Sequence, residues 1–174
     1  SYYDRSVTLG PKGNLKIEGD NGAEWEFEAG EVLRLDGNSE MFEEESRLVA
    51  TPSEGEVGIS SIDRYQGTPS YGGILELKNT EQGILIVNEL PLEEYLKKVV
   101  GSEMPASYGL EAAKLQAVCA RSYACRLIEE NSCREYGAHV TDSTEYQVYN
   151  NFASDPISVQ GVEETEGEVL NYQG

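Results

Sequence analysis

One carboxylate, Glu103, stands in a sequence context that suits acid–base chemistry. It belongs to Ser102-Glu103-Met104-Pro105, between a helix-like stretch that ends at Gly101 and a longer one rich in small residues. Proline disfavours helical geometry in the residue before it, so Met104 should be extended and Glu103 held at a fixed corner. A carboxyl group partly shielded from water at such a corner could keep a proton near neutral pH and act as a general acid. Position alone favours a commoner role, a glutamate that caps a helix or forms a salt bridge.

A second group of polar and aromatic residues lies on the longer helix-like stretch. Gln116, Arg121 and Tyr123 interrupt a run of mostly small apolar residues. A guanidinium in such a run needs carboxylate or carbonyl partners, or a path to solvent. Arg121 could orient Glu103 or bind a sugar or carboxylate group, although position alone favours a structural link between the helix and a neighbouring loop. Gln116 and Arg121 do not share one line of the helix.

A third polar group follows in the C-terminal part of the chain. It consists of Asp142, Ser143 and Thr144, with Gln147 shortly after them. The sequence Asp-Ser-Thr ordinarily forms a turn, so a turn is the favoured structure here.

The chain has one histidine, His139, which limits two kinds of site. A nucleophilic triad through His139 is disfavoured because the sequence has no Gly-x-Ser-x-Gly turn. A catalytic zinc needs three convergent protein ligands. Cys133 and His139 supply two at most, unless a carboxylate such as Asp142 or Glu145 turns inward. We therefore predict no metal site and no cofactor.

The elements that must position these residues begin with short alternating stretches between about residues 7 and 87. Each is bounded by Gly, Asn, Asp or Pro, a pattern that predicts β-strands. Two of them, 73–78 and 83–87, should form a hairpin. After residue 131 the sequence returns to strand-like pieces, at 139–142, 146–150, 157–165 and 167–173.

Apolar residues recur at helical spacing in the second half of the chain. They predict helices over about 91–101 and 110–130, the first with Pro91 in its first turn and Gly101 as its end. The alanines of the longer helix indicate close approach to a neighbouring helix or sheet. We therefore predict an α+β fold with short strands in the N-terminal part and two core helices packed on a mixed or antiparallel sheet.

Charge excludes one class of partner. The chain of 174 residues has 13 basic and 32 acidic residues, a formal net charge of -19. A nucleic-acid-binding surface needs clustered Lys and Arg to neutralise phosphates, so nucleic acid is not a partner. An anionic membrane surface is disfavoured for the same reason. No apolar run approaches the roughly 20 residues that span a bilayer.

Three motifs follow one another at 90–95, 102–105 and 116–123: Leu-Pro-Leu-Glu-x-Tyr, the Ser-Glu-Met-Pro sequence around Glu103, and Gln-Ala-Val-x-Ala-Arg-x-Tyr. In this order they resemble the signature of SpoIID/LytB domains, the family of stage II sporulation protein D. Weaker likeness extends the match to about 71–174. The resemblance implies two domains: a small acidic β-rich lobe or insertion over 1–70, and a SpoIID-like catalytic core over 71–174 that is incomplete at its C-terminus.

The resemblance implies a lytic transglycosylase that cleaves peptidoglycan glycan strands stripped of their stem peptides. Glu103 would protonate the glycosidic oxygen and then take the proton of the sugar's own C6 hydroxyl, giving a 1,6-anhydro product without water. One carboxylate used twice suits this reaction, whereas hydrolysis usually needs a pair. The substrate-binding or supporting residues carried over from the motifs are Ser102, Gln116, Arg121, Tyr123 and Gln147.

The resemblance also implies a location and partners. The protein would act outside the cytoplasm, in the cell envelope, during cell-wall remodelling such as sporulation, with a membrane anchor supplied by a segment outside this chain. The alternative is a non-catalytic chain that binds glycan and enhances a peptidoglycan amidase. At least one relative carries a zinc site built from a histidine and two cysteines. Val140 and Tyr146 stand at the expected cysteine positions here, so that metal is not carried over.

Overall fold

The computed structural model describes residues 3–43, 45–62, 64, 67–142, 145–152 and 154–172. The chain divides into two compact units, Ser1–Leu90 and Pro91–Gly174. Within the described residues, the strands lie in the first unit and the α-helices in the second. The predicted α+β class is confirmed. These units divide at Leu90, and the domain boundary at residue 70 that the resemblance implies stays a prediction.

The strands of the first unit form two antiparallel sheets. In chain order they are β1 (Tyr3–Asp4), β2 (Ser6–Pro11), β3 (Leu15–Gly19), β4 (Glu24–Phe27), β5 (Leu33–Asp36), β6 (Arg47–Pro52), β7 (Val57–Ile59), β8 (Ser70–Tyr71), β9 (Ile74–Thr80) and β10 (Gly83–Glu89). One sheet has the order β1-β10-β9-β6-β3-β4, and the other has the order β5-β2-β7-β8.

The apolar residues of these strands face the interior because successive side chains of a strand point to opposite faces. In β3, Leu15 and Ile17 are buried while the residue between them is half-exposed. Across the same sheet, Leu48 of β6 lies opposite Leu77 of β9. This pairing of β6 with β9 is the physical reason why residues 71–90 belong with the N-terminal strands.

The predicted hairpin over 73–87 is confirmed as β9 and β10. The two strands pair from Gly83 opposite Thr80 to Glu89 opposite Ile74. Gly83 has a φ of 132°. A Cβ at this position would lie 2.7 Å from the carbonyl oxygen of Asp4, on the neighbouring strand β1. Glycine is therefore required for the turn and for the close approach of β1.

The second unit consists of α1 (Leu92–Glu103), α2 (Leu110–Glu130) and α3 (Pro156–Glu163), which pack on one another. The alanine-rich face of α2 allows this close approach, as predicted. A Cβ on Gly161 of α3 would lie 2.8 Å from the Cβ of Ala113 on α2, so the two helices touch through their smallest side chains. No helix in the described part of the chain is long and apolar enough to cross a membrane.

The first predicted helix is longer than its sequence signal indicated. Gly101 does not end α1, which continues to Glu103, with Met104 N–H donating to the carbonyl of Val100 at 2.9 Å. A single glycine weakens a helix by about 1 kcal/mol relative to alanine. The burial of Val99 and Val100 offsets this cost. The helix ends instead before Pro105, which lacks the N–H that a further turn would need.

The strand predicted over 157–165 is wrong, because this segment forms α3. Asp155 caps the helix by accepting hydrogen bonds from the N–H groups of Ile157 and Ser158, each at 2.9 Å, and Pro156 occupies the first turn. These start signals outweigh the β-branched residues that follow. The other predicted C-terminal strands are also wrong, since none is present within residues 139–142, 145–152 or 167–172.

Candidate functional site

Glu103 is the last residue of α1, and its side chain is exposed. One carboxylate oxygen accepts a hydrogen bond from the side-chain amide of Gln116 on α2, at 2.6 Å. The other accepts one from the backbone N–H of Val148, at 3.1 Å. Donors from two separate elements therefore fix the plane of the carboxyl group while leaving it open to solvent. The shielding from water expected at this corner is not observed.

The local backbone explains how Gln116 comes to lie beside Glu103. Met104 has φ −119° and ψ 114°, the extended conformation predicted for the residue before Pro105. The following residues form a 3₁₀ turn, Ala106–Tyr108, and then α2 begins. The chain thus reverses within a few residues and brings Gln116 back beside Glu103.

Gln147 holds the segment that supplies the second donor. Its side chain is buried, its amide N–H donates to the carbonyl of Ala120 on α2, and its amide oxygen accepts from the hydroxyl of Tyr95 on α1, both at 3.2 Å. The next residue along the chain is Val148, whose N–H reaches Glu103. Gln147 thus lies behind the segment that contacts Glu103, and its burial keeps it from direct contact with a large substrate.

Ser102 fixes the same segment from the other side. Its hydroxyl donates to the carbonyl of Lys98 at 2.7 Å and accepts from the N–H of Asn150 at 3.2 Å. The Lys98 ammonium group donates to the carbonyl of Phe152 at 3.0 Å. Residues 147–152 therefore lie along α1 without forming a strand, because helix side chains satisfy their backbone groups.

Tyr95 was not among the predicted site residues, although it ends the Leu-Pro-Leu-Glu-x-Tyr motif at 90–95. Its ring lies 5.1 Å from that of Tyr149, with an interplanar angle of 31°. Burial above all, and then the nearby Glu103 and Tyr123, raise the pKa of the Tyr95 phenol. The hydroxyl therefore stays protonated and remains a donor to Gln147. A buried tyrosine normally needs a hydrogen-bond partner for its hydroxyl. This rule is the signal that could have indicated a polar contact for Tyr95.

Arg121 lies beside the start of α1, whereas Glu103 is at its end. Its guanidinium is buried and makes a bidentate pair with Glu93, at 2.8 and 2.7 Å, and also donates to the carbonyls of Glu168 and Val162. Glu93 is in the first turn of α1 and Glu103 in the last, about 15 Å apart along the helix axis. The expected contact of Arg121 with Glu103 is therefore replaced by one with Glu93. This geometry matches the other role considered for Arg121, a structural link between its helix and a neighbouring part of the chain.

The remaining predicted residues lie at several places in the second unit. Tyr123 is exposed and lies on the same face of α2 as Gln116, two turns further on. Ser143 and Thr144 lie outside the described residues. His139 is exposed, and the Cys133 thiol is buried, 3.2 Å from the hydroxyl of Tyr146. Among the described residues, no three His, Cys, Asp or Glu side chains are grouped closely enough to hold a metal ion.

The chain is similar to three curated proteins in particular. An uncharacterized protein of Brachyspira hyodysenteriae is 37% identical over 109 residues, which cover 62% of this chain and 29% of that protein. An amidase enhancer of Bacillus subtilis is 44% identical over 79 residues, or 45% of this chain and 10% of that protein. Stage II sporulation protein D of Bacillus subtilis is 46% identical over 69 residues, or 38% of this chain and 20% of that protein. The chain therefore spans less than a third of each relative's length.

No solved structure matches the chain. The family model described as SpoIID, Stage II sporulation protein, matches residues 80–172. This range is more than half of the chain and contains Glu103, Gln116 and the segment that bears Val148. The chain belongs to the SpoIID family.

Proposed function

We propose that this chain is a lytic transglycosylase of peptidoglycan, with Glu103 as its single acid–base group. The observation that carries the proposal is the geometry of that side chain: it is exposed, and each of its oxygens is held by a donor from a different element. Membership of the SpoIID family supports a role in the cell wall. A fixed, solvent-accessible carboxyl group within a family motif is what acid–base catalysis on a polymer requires.

In the proposed reaction, protonated Glu103 gives its proton to the glycosidic oxygen while the bond from that oxygen to C1 breaks. The resulting carboxylate then takes the proton of the C6 hydroxyl as O6 of the same sugar bonds to C1. The product carries a 1,6-anhydro ring, no water is consumed, and the proton is back on Glu103. A second carboxylate is unnecessary because the nucleophile belongs to the substrate.

The neighbouring residues have positioning roles in this proposal. Gln116 and the N–H of Val148 keep the carboxyl group in one orientation, so that the same group can serve both proton transfers. Ser102 and Gln147 fix the segment that carries Val148. Orientation is worth several kcal/mol in favourable intramolecular reactions, so these contacts matter although they lie beside the reacting atoms.

The proposed substrate is peptidoglycan glycan stripped of stem peptides, and the proposed place of action is the cell envelope outside the cytoplasm, in processes such as sporulation. The name of the Bacillus subtilis relative, stage II sporulation protein D, supports this setting. A membrane anchor would come from a segment other than those described. Glu103 and the residues that position it all lie in the second unit.

A second candidate function has a specific observation in its favour, the likeness to an amidase enhancer. In that role the chain would bind glycan and stimulate a peptidoglycan amidase without cutting the glycan itself. Exposure of Glu103 and the surrounding surface would then serve binding alone.

Product analysis in oxygen-18 water tests these functions against each other. Denuded glycan strands are incubated with the purified full chain, and the products are examined by mass spectrometry. The proposed function predicts anhydro ends without the heavy label. Labelled reducing ends would mean hydrolysis and refute it. Uncut denuded glycan, together with faster release of stem peptides by an added amidase from intact peptidoglycan in a parallel reaction, would establish the enhancer role instead.

A further inference from the structure

We propose that Tyr108 and Tyr123 are stacking platforms for sugar rings on opposite sides of Glu103. This inference rests on the proposed function, because it takes a glycan strand as the ligand. It adds where the strand lies: along α2, with one aromatic ring beneath the sugars on each side of the bond that is cut.

Exposure separates these two tyrosines from the other aromatic residues around Glu103. Tyr108 is 69% exposed and Tyr123 is 38% exposed, whereas Tyr149 is 7% exposed and stacks on Tyr95 inside the unit. A pyranose ring has apolar C–H faces and polar hydroxyl edges, and its faces pack well on a flat aromatic ring. Tyr108 and Tyr123 present such rings to a ligand, whereas Tyr95 and Tyr149 hold the fold together.

Tyr108 comes before α2 and Tyr123 lies within α2 beyond Gln116, so the two residues flank Gln116 in the order of the chain. Gln116 marks the level of Glu103 because their side chains are hydrogen-bonded. Tyr108 precedes α2, whose first residue, Leu110, lies about 9 Å before Gln116 along the axis. Tyr123 lies about 10.5 Å beyond Gln116, on the same face of the helix. A strand that follows α2 past Glu103 would therefore meet Tyr108 on one side and Tyr123 on the other.

Both platforms are held by backbone structure. Tyr123 is in the interior of α2. Tyr108 ends the 3₁₀ turn after Pro105, with its N–H bonded to the Pro105 carbonyl at 3.0 Å and the N–H of Gly109 bonded to the Ala106 carbonyl at 3.0 Å. A rigid aromatic side chain with few rotatable bonds loses little entropy when a ligand binds. The turn that places Glu103 at its corner thus also fixes Tyr108.

The test measures binding without cleavage. A β-linked N-acetylglucosamine hexamer is titrated by calorimetry against the full chain carrying Glu103→Gln, alone and combined with Tyr108→Ala or Tyr123→Ala. We expect each alanine variant to bind about tenfold more weakly, as for the loss of a strong aromatic contact. Tyr108→Trp and Tyr123→Trp, which keep a flat ring, should retain affinity. Ile128→Ala, at an exposed apolar residue on another face of α2, should leave affinity unchanged.

A second readout tests the two-sided arrangement. In the parent with Glu103 intact, Tyr108→Ala and Tyr123→Ala should shift the cut sites along the hexamer in opposite directions. Unchanged affinity in both alanine variants, in folded proteins, would overturn the platforms, as would shifts in the same direction. Failure of the proposed function is distinguishable: tyrosine-dependent binding without any anhydro product would keep the platforms and remove the transglycosylase.

Discussion

Replacement of Arg121 by methionine should destabilise the second unit without acting on the chemistry. The variant loses the bidentate pair with Glu93 and the hydrogen bonds to the carbonyls of Glu168 and Val162. Methionine keeps much of the aliphatic volume of arginine. The variant therefore loses electrostatic interactions and does not gain a large cavity. The contacts of Arg121 join α1, α2 and the end of α3, and all three should loosen together.

The expected loss in the free energy of unfolding follows from the burial of the Arg121–Glu93 ion pair. Removing one partner of a fully buried ion pair costs about 3 to 5 kcal/mol, because the other charge stays buried and unpaired. The Arg121 side chain is 2% exposed but that of Glu93 is 28% exposed, so water can partly solvate the carboxylate that remains. We therefore expect a loss near the lower end, about 3 kcal/mol in the free energy of unfolding. Changing Glu93 to glutamine as well should recover part of this loss.

Urea unfolding followed by the far-UV helix signal is the assay, because the described α-helices all lie in the second unit. Arg126→Met is the matched control: Arg126 is on the same helix and pairs with Glu130, but its side chain is 71% exposed. That variant should unfold at nearly the parental urea concentration. The reasoning is refuted if Arg121→Met unfolds like the parent yet cleaves glycan far more slowly, since Arg121 would then act on the reaction itself.

Two further predictions concern the carboxyl group and the start of α3. Gln116→Ala removes the 2.6 Å contact to Glu103, so kcat should fall about tenfold with KM little changed, as steady-state kinetics would show. Burial opposes ionisation of Asp155, but hydrogen bonds from Ser158 and the N–H of Ile157 outweigh it and lower the pKa. The stability from this cap is therefore present above the ordinary value of 3.8 and is lost as the pH falls through the lower folded value. Asp155→Asn, still a good cap, should unfold with a flatter pH dependence below about pH 4; an unchanged acid slope would contradict this.

Local signals predicted much of the fold. The helical spacing and Pro91 located α1 and α2, and the glycine-bounded stretches located the hairpin of β9 and β10. These features depend on residues close in sequence, which is why spacing alone reveals them. Met104 was extended as expected for the same reason, because proline acts on its immediate neighbour.

The features that the sequence could not predict depend on contacts between distant residues. Glu93 and Arg121 are separated by 28 positions, and nothing local chooses Glu93 among 32 acidic residues. Tyr95 and Gln147 are 52 positions apart, so the sequence could not predict the hydrogen bond between them that holds the segment bearing Val148. The helix over 156–163 is an exception, because its start signal at Asp155 is local, and the β-branched residues that follow favoured a strand instead.

The central claim is that Glu103 is the acid–base group of a glycan-cleaving site, and one comparison tests it most directly. The rate of anhydro-ended product from denuded glycan is measured by mass spectrometry for the parent, Glu103→Gln and Glu129→Gln. Glu129 is an exposed carboxylate in the last turn of α2, about 20 Å beyond Gln116 along the axis. We predict a fall of roughly a hundredfold or more for Glu103→Gln, with little change in thermal stability, and the parental rate for Glu129→Gln. Anhydro product released by Glu103→Gln at the parental rate would contradict the account.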